Sequence, residues 1–229
     1  MTGTADVTLY GHWICPFATR VAFALAQRGV QHDLIEVPPT GVRPPDFEMP
    51  PEFVEHSPRR EIPMVRVGED YLADSIPILE WLERRIGHDS LLPATQVGQD
   101  LVRERMTWAD TAIFRPMIGI YYGTDPERIR RASKKLVEAL SEMDGWLSES
   151  AWLAGDVVTL AEAVYVPLLV RLDALRRLGF EGDLPPSVHE HAERCRSLRG
   201  WDAVAWSSDQ EDEFVGRFEA YRRKQAARS

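Results

Sequence analysis

Val7-Thr8-Leu9-Tyr10 alternates its side chains in the manner of a half-buried strand, and the period then changes. Phe17, Val21 and Leu25 recur four apart with Ala18, Ala22 and Ala26 beside them, the stripe of an amphipathic helix. Pro16 suits the first helical position, where its missing N–H is no loss. Cys15 therefore falls at or next to the N-cap. Gly29 ends the helix as a natural C′ residue, and Asp33-Leu34-Ile35-Glu36-Val37 predicts a second strand. Strand, helix and strand this close together make a βαβ unit, so these two strands should be parallel.

Pro38 to Pro51 is too proline-rich for regular structure and long for a connection in a compact domain, so it is either a functional cover or an insertion. Ile62-Pro63-Met64-Val65-Arg66-Val67 predicts a strand that opens on a proline, a position suited to a cis bond close to a site. Gly68-Glu69-Asp70 turns the chain and Tyr71-Leu72-Ala73 returns antiparallel. Ser75 is the expected N-cap of a helix with Pro77 in its first turn and Ile78, Leu79, Leu82 and Ile86 on its buried side. Gly87 to Ala94 reads as a linker. From there the period is helical, over residues 97–122, 126–149, 159–178, 187–199 and 209–226, with Arg115-Pro116 expected to kink the first. Thr159 with Glu162 is a capping box. Leu160, Val164, Leu168 and Leu172 after it mark the centre of a second core. The fold class is an α+β module of order βαβ-ββα over residues 1–88, followed by an all-helical domain over 95–229.

The totals narrow the partners. The chain of 229 residues is 44% hydrophobic and 28% charged, as in an ordinary globular protein. Its net charge of −9 argues against a nucleic-acid or anionic-membrane partner, because phosphates need a basic face. Met1-Thr2-Gly3-Thr4 lacks the flank and apolar core of a signal peptide. No apolar run approaches the ~20 residues that span a bilayer. A cytoplasmic protein is expected. Cys15 and Cys195 form none of the CxxC pairings of metal or dithiol sites, which fits a reducing compartment and leaves a metal site unsupported. Arginine outnumbers lysine 24 to 3, a skew that reads as GC-rich coding.

Cys15 is the candidate for chemistry. Unpaired N–H groups and the positive end of the dipole at a helix start favour a thiolate, whereas an ordinary buried cysteine would be inert. Ala18 stands where a dithiol redox protein would carry its second cysteine, so the expected intermediate is a mixed disulfide with an external thiol. Cys195, between Arg194 and Arg196, reads as structural. His12 reads as a loop histidine that, with Trp13, borders the same stretch. Trp108, Phe114, Tyr121 and Tyr122 recur at helical spacing, where aromatics are more often core than ligand contacts. The acidic run Asp209 to Glu213 reads as a solvated helix start.

Cys15-Pro16-Phe17 with Arg20-Val21, then Ile62-Pro63, Asp74-Ser75 and the stretch Gly155 to Glu162, in that order, resemble the glutathione transferase superfamily. The cysteine resembles that of its omega, lambda and dehydroascorbate-reductase-like classes, in a bacterial member. The resemblance implies a thioredoxin-like domain with a cis-proline before a helical domain, and a homodimer. It implies Cys15 as the catalytic nucleophile, and Phe17, Ile62, Pro63, Asp74 and Ser75 as the cofactor site, with Arg59 and Arg60 as further candidates there. His12, Trp13, Trp108 and Tyr122 would border the acceptor. Glutathione would be the co-substrate, with mycothiol or another low-molecular-weight thiol as the alternative, and the partner a small electrophile or disulfide, with no metal. The implied activity is thiol transfer, reductive deglutathionylation or dehydroascorbate reduction. The alternatives are a thiol-dependent isomerase or conjugating enzyme and, from another class, a non-catalytic binding or assembly module.

Physical reasons accompany these positions. A helix start at Ser75 offers N–H groups to a carboxylate. Asp74 offers a carboxylate to an amino group, and Ile62 can pair with a peptide as a sheet edge does. Three departures stand out: Asp74 is shorter than the family's usual Glu, Arg59-Arg60-Glu61 replaces a Gly-Lys or Gly-Leu pair, and Glu55-His56 replaces lysines.

Overall fold

The computed structural model describes residues 6–86 and 89–227, so Met1 to Thr4 and the start of the expected linker, Gly87, lie outside the described residues. The chain divides into two compact units: Met1–Pro93 with Leu198–Val204, and Ala94–Ser197 with Ala205–Ser229.

In the first unit the elements run β1 (Val7–Gly11), α1 (Pro16–Gln27), β2 (Asp33–Glu36), α2 (Pro51–His56), β3 (Met64–Val67), β4 (Asp70–Ala73) and α3 (Ser75–Arg85). They form one sheet in the order β2-β1-β3-β4. β1 pairs parallel with β2, Leu9 opposite Leu34, as the βαβ reading requires, and antiparallel with β3, Leu9 opposite Val65. β4 returns antiparallel to β3. Because side chains alternate along a strand, each face gets its own core. Val7, Leu9 and Val65 pack against Val21 and Leu25 of α1 and Ile78 and Leu82 of α3, while Tyr10 and Met64 face Phe53 of α2.

The ends of α1 fix the orientation of the Cys15 stretch. Cys15 is the N-cap and Pro16 the first helical residue. At the other end Gly29, at φ 67°, donates to the Ala26 carbonyl, and Val30 donates to that of Leu25, the paired bonds of a Schellman close. Arg199 adds a cation there: its Nε donates to the Ala26 carbonyl at 3.0 Å and Nη2 to that of Gln27 at 2.7 Å. Opposite charge at a helix C-terminus is favourable.

Three expectations need correcting in this unit. β1 is not half-buried, since Val7 to Gly11 are all buried, with a layer packed on each face of the sheet. Pro51, the last residue of the stretch expected to be irregular, instead starts a short helix, Pro51–His56, with Glu52 in its first turn and Phe53 buried. Ser75 is not the N-cap of α3: Asp74 is, and Ser75 is the first helical residue. The Ser75 hydroxyl accepts from the buried Arg20 guanidinium instead of closing the helix end.

In the second unit the helices are α4 (Gln96–Ala109), α5 (Arg115–Tyr121), α6 (Pro126–Glu149), α7 (Leu160–Arg177), α8 (Pro186–Arg196) and α9 (Ser208–Ala226). The expected kink is a π turn, Asp110–Phe114, between α4 and α5. Pro116 lacks the N–H that would close the preceding α turn, so that turn widens. α7 is buried on nearly every side and is the centre of this core. Its capping box forms as expected, and Glu162 goes further: its buried carboxylate accepts from the Thr159 N–H at 2.8 Å, the Thr159 hydroxyl at 3.0 Å and the Leu153 N–H at 2.8 Å. No helix among the described residues is long and apolar enough to cross a membrane.

Candidate active site

Cys15 is held by its backbone. Its N–H donates to the His12 carbonyl at 3.0 Å, and its own carbonyl accepts from the Thr19 N–H and the Thr19 hydroxyl, both at 3.0 Å. The side chain is buried, with Sγ 3.9 Å from the carbonyl oxygen of Ile62. The Ile62-Pro63 bond is cis. Cys15, Ile62 and the ring of Phe17 thus share one packed cluster with Tyr10 and Met64.

The tyrosine of that cluster is committed elsewhere. The Tyr10 hydroxyl donates to the Glu52 carboxylate, and burial together with that carboxylate pushes its pKa well above the ordinary phenol range. Tyr71, stacked on His56 with ring centroids 3.8 Å apart, shifts the same way through desolvation first and Glu52 second. His12 accepts the Ile14 N–H on Nδ1 at 3.2 Å, so a neutral His12 carries its proton on Nε2, and its ring lies 5.7 Å from that of Trp13.

Arg20 joins Cys15's helix to the Asp74-Ser75 pair. It is fully buried, Nη1 donates to Ser75 Oγ at 3.1 Å, and the guanidinium carbon lies 4.8 Å from the Phe17 ring centre. This is a positive charge placed at the start of α3.

The Arg59-Arg60-Glu61 segment splits by role. Arg59 Nη2 donates to Asp74 Oδ2 at 2.8 Å and its Nε lies 3.2 Å from Glu61. Arg60, at φ 53°, donates its N–H to the Ser57 carbonyl, and its own carbonyl accepts from Arg43 Nη2 at 3.0 Å. Arg43 is a residue that the sequence reading missed. It crosses the proline-rich segment, donating also to the Pro38 carbonyl at 3.0 Å and the Met49 sulfur at 3.2 Å. An arginine in a stretch without periodicity gives no signal of its own; the prolines around it were the only hint that the stretch is held in one shape.

The remaining acceptor candidates lie in the second unit and in different surroundings there. Trp108 meets Trp146 edge-on at 4.7 Å and stacks on Tyr165 at 6.3 Å. Tyr122 packs on Tyr121, Phe218 and Tyr221. Cys195 is buried in the last turn of α8, with Sγ 3.6 Å from His191 Nε2, which lies 3.6 Å from Glu162. Burial and the nearby Glu162 push its thiol well above the ordinary range, the reverse of what a helix start does for a thiolate. Among the described residues no group of three or more His, Cys, Asp or Glu side chains converges as a metal site would.

Comparison with known proteins agrees with this architecture. Residues 14–85 match the glutathione S-transferase N-terminal domain, and residues 126–201 match the C-terminal domain of the same family. A stringent starvation protein A homolog of Coxiella burnetii is 29% identical over 74% of this chain and 77% of that one. Mouse glutathione S-transferase omega-1 is 24% identical over 74% of this chain and 68% of that one. A rice transferase solved in complex with glutathione superposes with a TM-score of 0.84, covering 97% of this chain and 99% of that one at 18% identity, a likeness of fold. Two matched domains in family order, on a four-stranded sheet followed by a helical half, place the chain in the glutathione S-transferase family.

Proposed function

We propose that the protein is a cysteine-type glutathione transferase that performs thiol transfer on a small disulfide or glutathione-conjugated acceptor. The observation that carries this reading is Cys15 at the start of α1, beside the backbone of Ile62, with no second cysteine at Ala18. The Cys15 thiolate attacks the glutathionyl sulfur of a mixed disulfide, the acceptor leaves as its own thiolate, and Cys15 holds glutathione through a disulfide. A second glutathione thiolate then attacks that disulfide, releasing glutathione disulfide and restoring the Cys15 thiolate. The similarity to an omega-class transferase favours this chemistry.

In this reading the Ile62 backbone pairs with the peptide of glutathione and the start of α3 at Ser75, with Arg20 behind it, takes the γ-glutamyl carboxylate. Asp74 takes the γ-glutamyl ammonium. Arg43 and Arg60 supply positive charge for the glycine carboxylate. His12 and Trp13 border the acceptor. The protein works in the cytoplasm as a homodimer, which light scattering checks.

Intact mass after incubation with glutathione disulfide tests the chemistry. Wild type gains one glutathionyl group and Cys15→Ala gains none; an adduct on Cys15→Ala sinks the proposal. Mycothiol disulfide in a parallel sample decides which thiol the site accepts. A second reading, a binding module that keeps the fold, draws on the starvation-protein relative, whose name is not that of a transferase. It prevails if Cys15 forms no adduct with either disulfide.

A further inference from the structure

Arg59 stands between two carboxylates, and one of them is the group the thiol ligand's ammonium needs. Its Nη2 reaches Asp74 at 2.8 Å and its Nε reaches Glu61 at 3.2 Å. The two ends of the Asp74 bridge are not equally fixed. Asp74 is the N-cap of α3, its backbone is held at φ 84°, and its N–H donates to the Pro63 carbonyl at 3.2 Å. The Arg59 side chain is 65% exposed, so packing does little to hold it. Both side chains are exposed, Asp74 at 57%, but the Asp74 carboxylate hangs by a short side chain from a fixed backbone whereas Arg59 reaches it on a long arm, so Arg59 is the more movable partner.

The neighbouring arginines behave differently. Among the described residues, Arg43 donates to two carbonyls and a thioether, all neutral. Its principal charged neighbour is Arg60, and burial together with that second cation makes its guanidinium easier to deprotonate than usual. Their charge is left for an incoming anion. Arg59's charge is already used by Asp74 and Glu61.

An ammonium approaching Asp74 must therefore share the carboxylate with a guanidinium or displace it. Either course costs the ligand part of the attraction that a bare carboxylate would give, and like charges held this close repel. A ligand acylated on that nitrogen makes no such demand. We infer that Arg59 is a specificity residue that competes with the free amino group of the thiol ligand for Asp74, weakening amine-bearing thiols relative to the same thiols acylated on nitrogen. This rests on the proposed role of the pocket as a thiol-cofactor site.

The test uses the full chain and two probes with no free thiol, S-methylglutathione and its N-acetyl derivative, so that Cys15 cannot form a disulfide with either. Calorimetry at low salt is run on wild type, Arg59→Gln, Asp74→Asn and the double variant. Arg59→Gln should tighten S-methylglutathione about 1.5- to fivefold, the range expected from an exposed ion pair, and leave the N-acetyl probe unchanged. In the Asp74→Asn background the same substitution should change neither. Raised salt should shrink the effect. If Arg59→Gln weakens both probes, Arg59 grips the ligand's carboxylate and the inference falls. It also falls if both probes tighten equally, as simple obstruction would predict, or if their ratio stays fixed. Failure of every variant to bind either probe would remove the thiol-site reading as well, whereas binding with an unchanged ratio removes this inference alone. Arg59 is exposed, so matching thermal melts verify that the variants are folded.

Discussion

The sulfur of Cys15 lies 3.9 Å from the carbonyl oxygen of Ile62. The neutral thiol can point its proton at that oxygen. The thiolate cannot, and is favoured instead by the positive end of the dipole at the start of α1. Cys195 has the opposite setting, buried in the last turn of α8 near Glu162, and burial first and that carboxylate second raise its pKa. The two cysteines should therefore differ in reactivity although both are buried.

Iodoacetamide near neutral pH should modify Cys15 well before Cys195, because the thiolate is the reacting form. Peptide mass after timed quenching reads the two sites separately, and Cys195 should react only once urea unfolds the second unit. Equal rates in the folded protein would contradict the assignment.

The raised value at Cys195 carries a sign for stability. A thiol that ionises less readily in the folded state than in the unfolded one stabilises fully below its unfolded value, ordinarily 9.0, and loses that contribution as pH rises toward the folded value. Urea midpoints of wild type should thus fall more steeply above pH ~9 than those of Cys195→Ala. The difference between the two proteins isolates Cys195 from Tyr10, which shifts in the same direction. Parallel alkaline limbs would mean that the unfolding of α8 does not free this thiol.

Much of this was readable from periodicity. Val7-Thr8-Leu9-Tyr10 and the Phe17, Val21 and Leu25 stripe set a strand and a helix, and Pro16 and Gly29 marked the helix ends, because local sterics act on the residue itself. Thr159 and Glu162 were legible for the same reason, as partners three residues apart. What escaped depended on residues distant in sequence. Ser75 has the chemistry of an N-cap, but Arg20, far back along the chain, takes its hydroxyl. Asp74 reads as a lone carboxylate until Arg59 is placed on it, and Arg43 has no meaning until Arg60 folds against it. The short α2 had a local signal in Pro51 and Glu52, but a proline-rich stretch outweighed it.

Asp74 itself should tolerate glycine in the fold and not in the site. Its φ of 84° lies in the left-handed region, where a side chain is strained by about 1–3 kcal/mol and glycine is not. Glycine's greater freedom in the unfolded chain returns about 0.5–1 kcal/mol of that, and the lost exposed bridge to Arg59 up to about 1. Asp74→Gly should leave urea stability unchanged or slightly higher while weakening binding of S-methylglutathione. A large loss of stability would show that the carboxylate supports the fold rather than the ligand.

Gly200 is the position where a single added carbon should do most harm in the first unit. The segment Leu198–Val204 belongs to that unit, and Gly200 donates its N–H to Gln27 Oε1 at 2.9 Å beside the Arg199 cap on α1. A Cβ at Gly200 would sit 2.7 Å from the Phe23 carbonyl oxygen and 2.9 Å from its ring, and a backbone atom in mid-helix cannot step aside. Gly200→Ala should therefore cost about 1–3 kcal/mol as an overpacking change, and pull Arg199 off the Ala26 and Gln27 carbonyls. Hydrogen exchange checks the location: protection should fall at Gly200 and at the C-terminal end of α1. Gly68→Ala is the control, since Gly68 at φ 60° has nothing within 4 Å of the added carbon and should show only the smaller cost of its backbone angle. If Gly200→Ala is the milder of the two, the segment does not hold α1 as closely as these distances require.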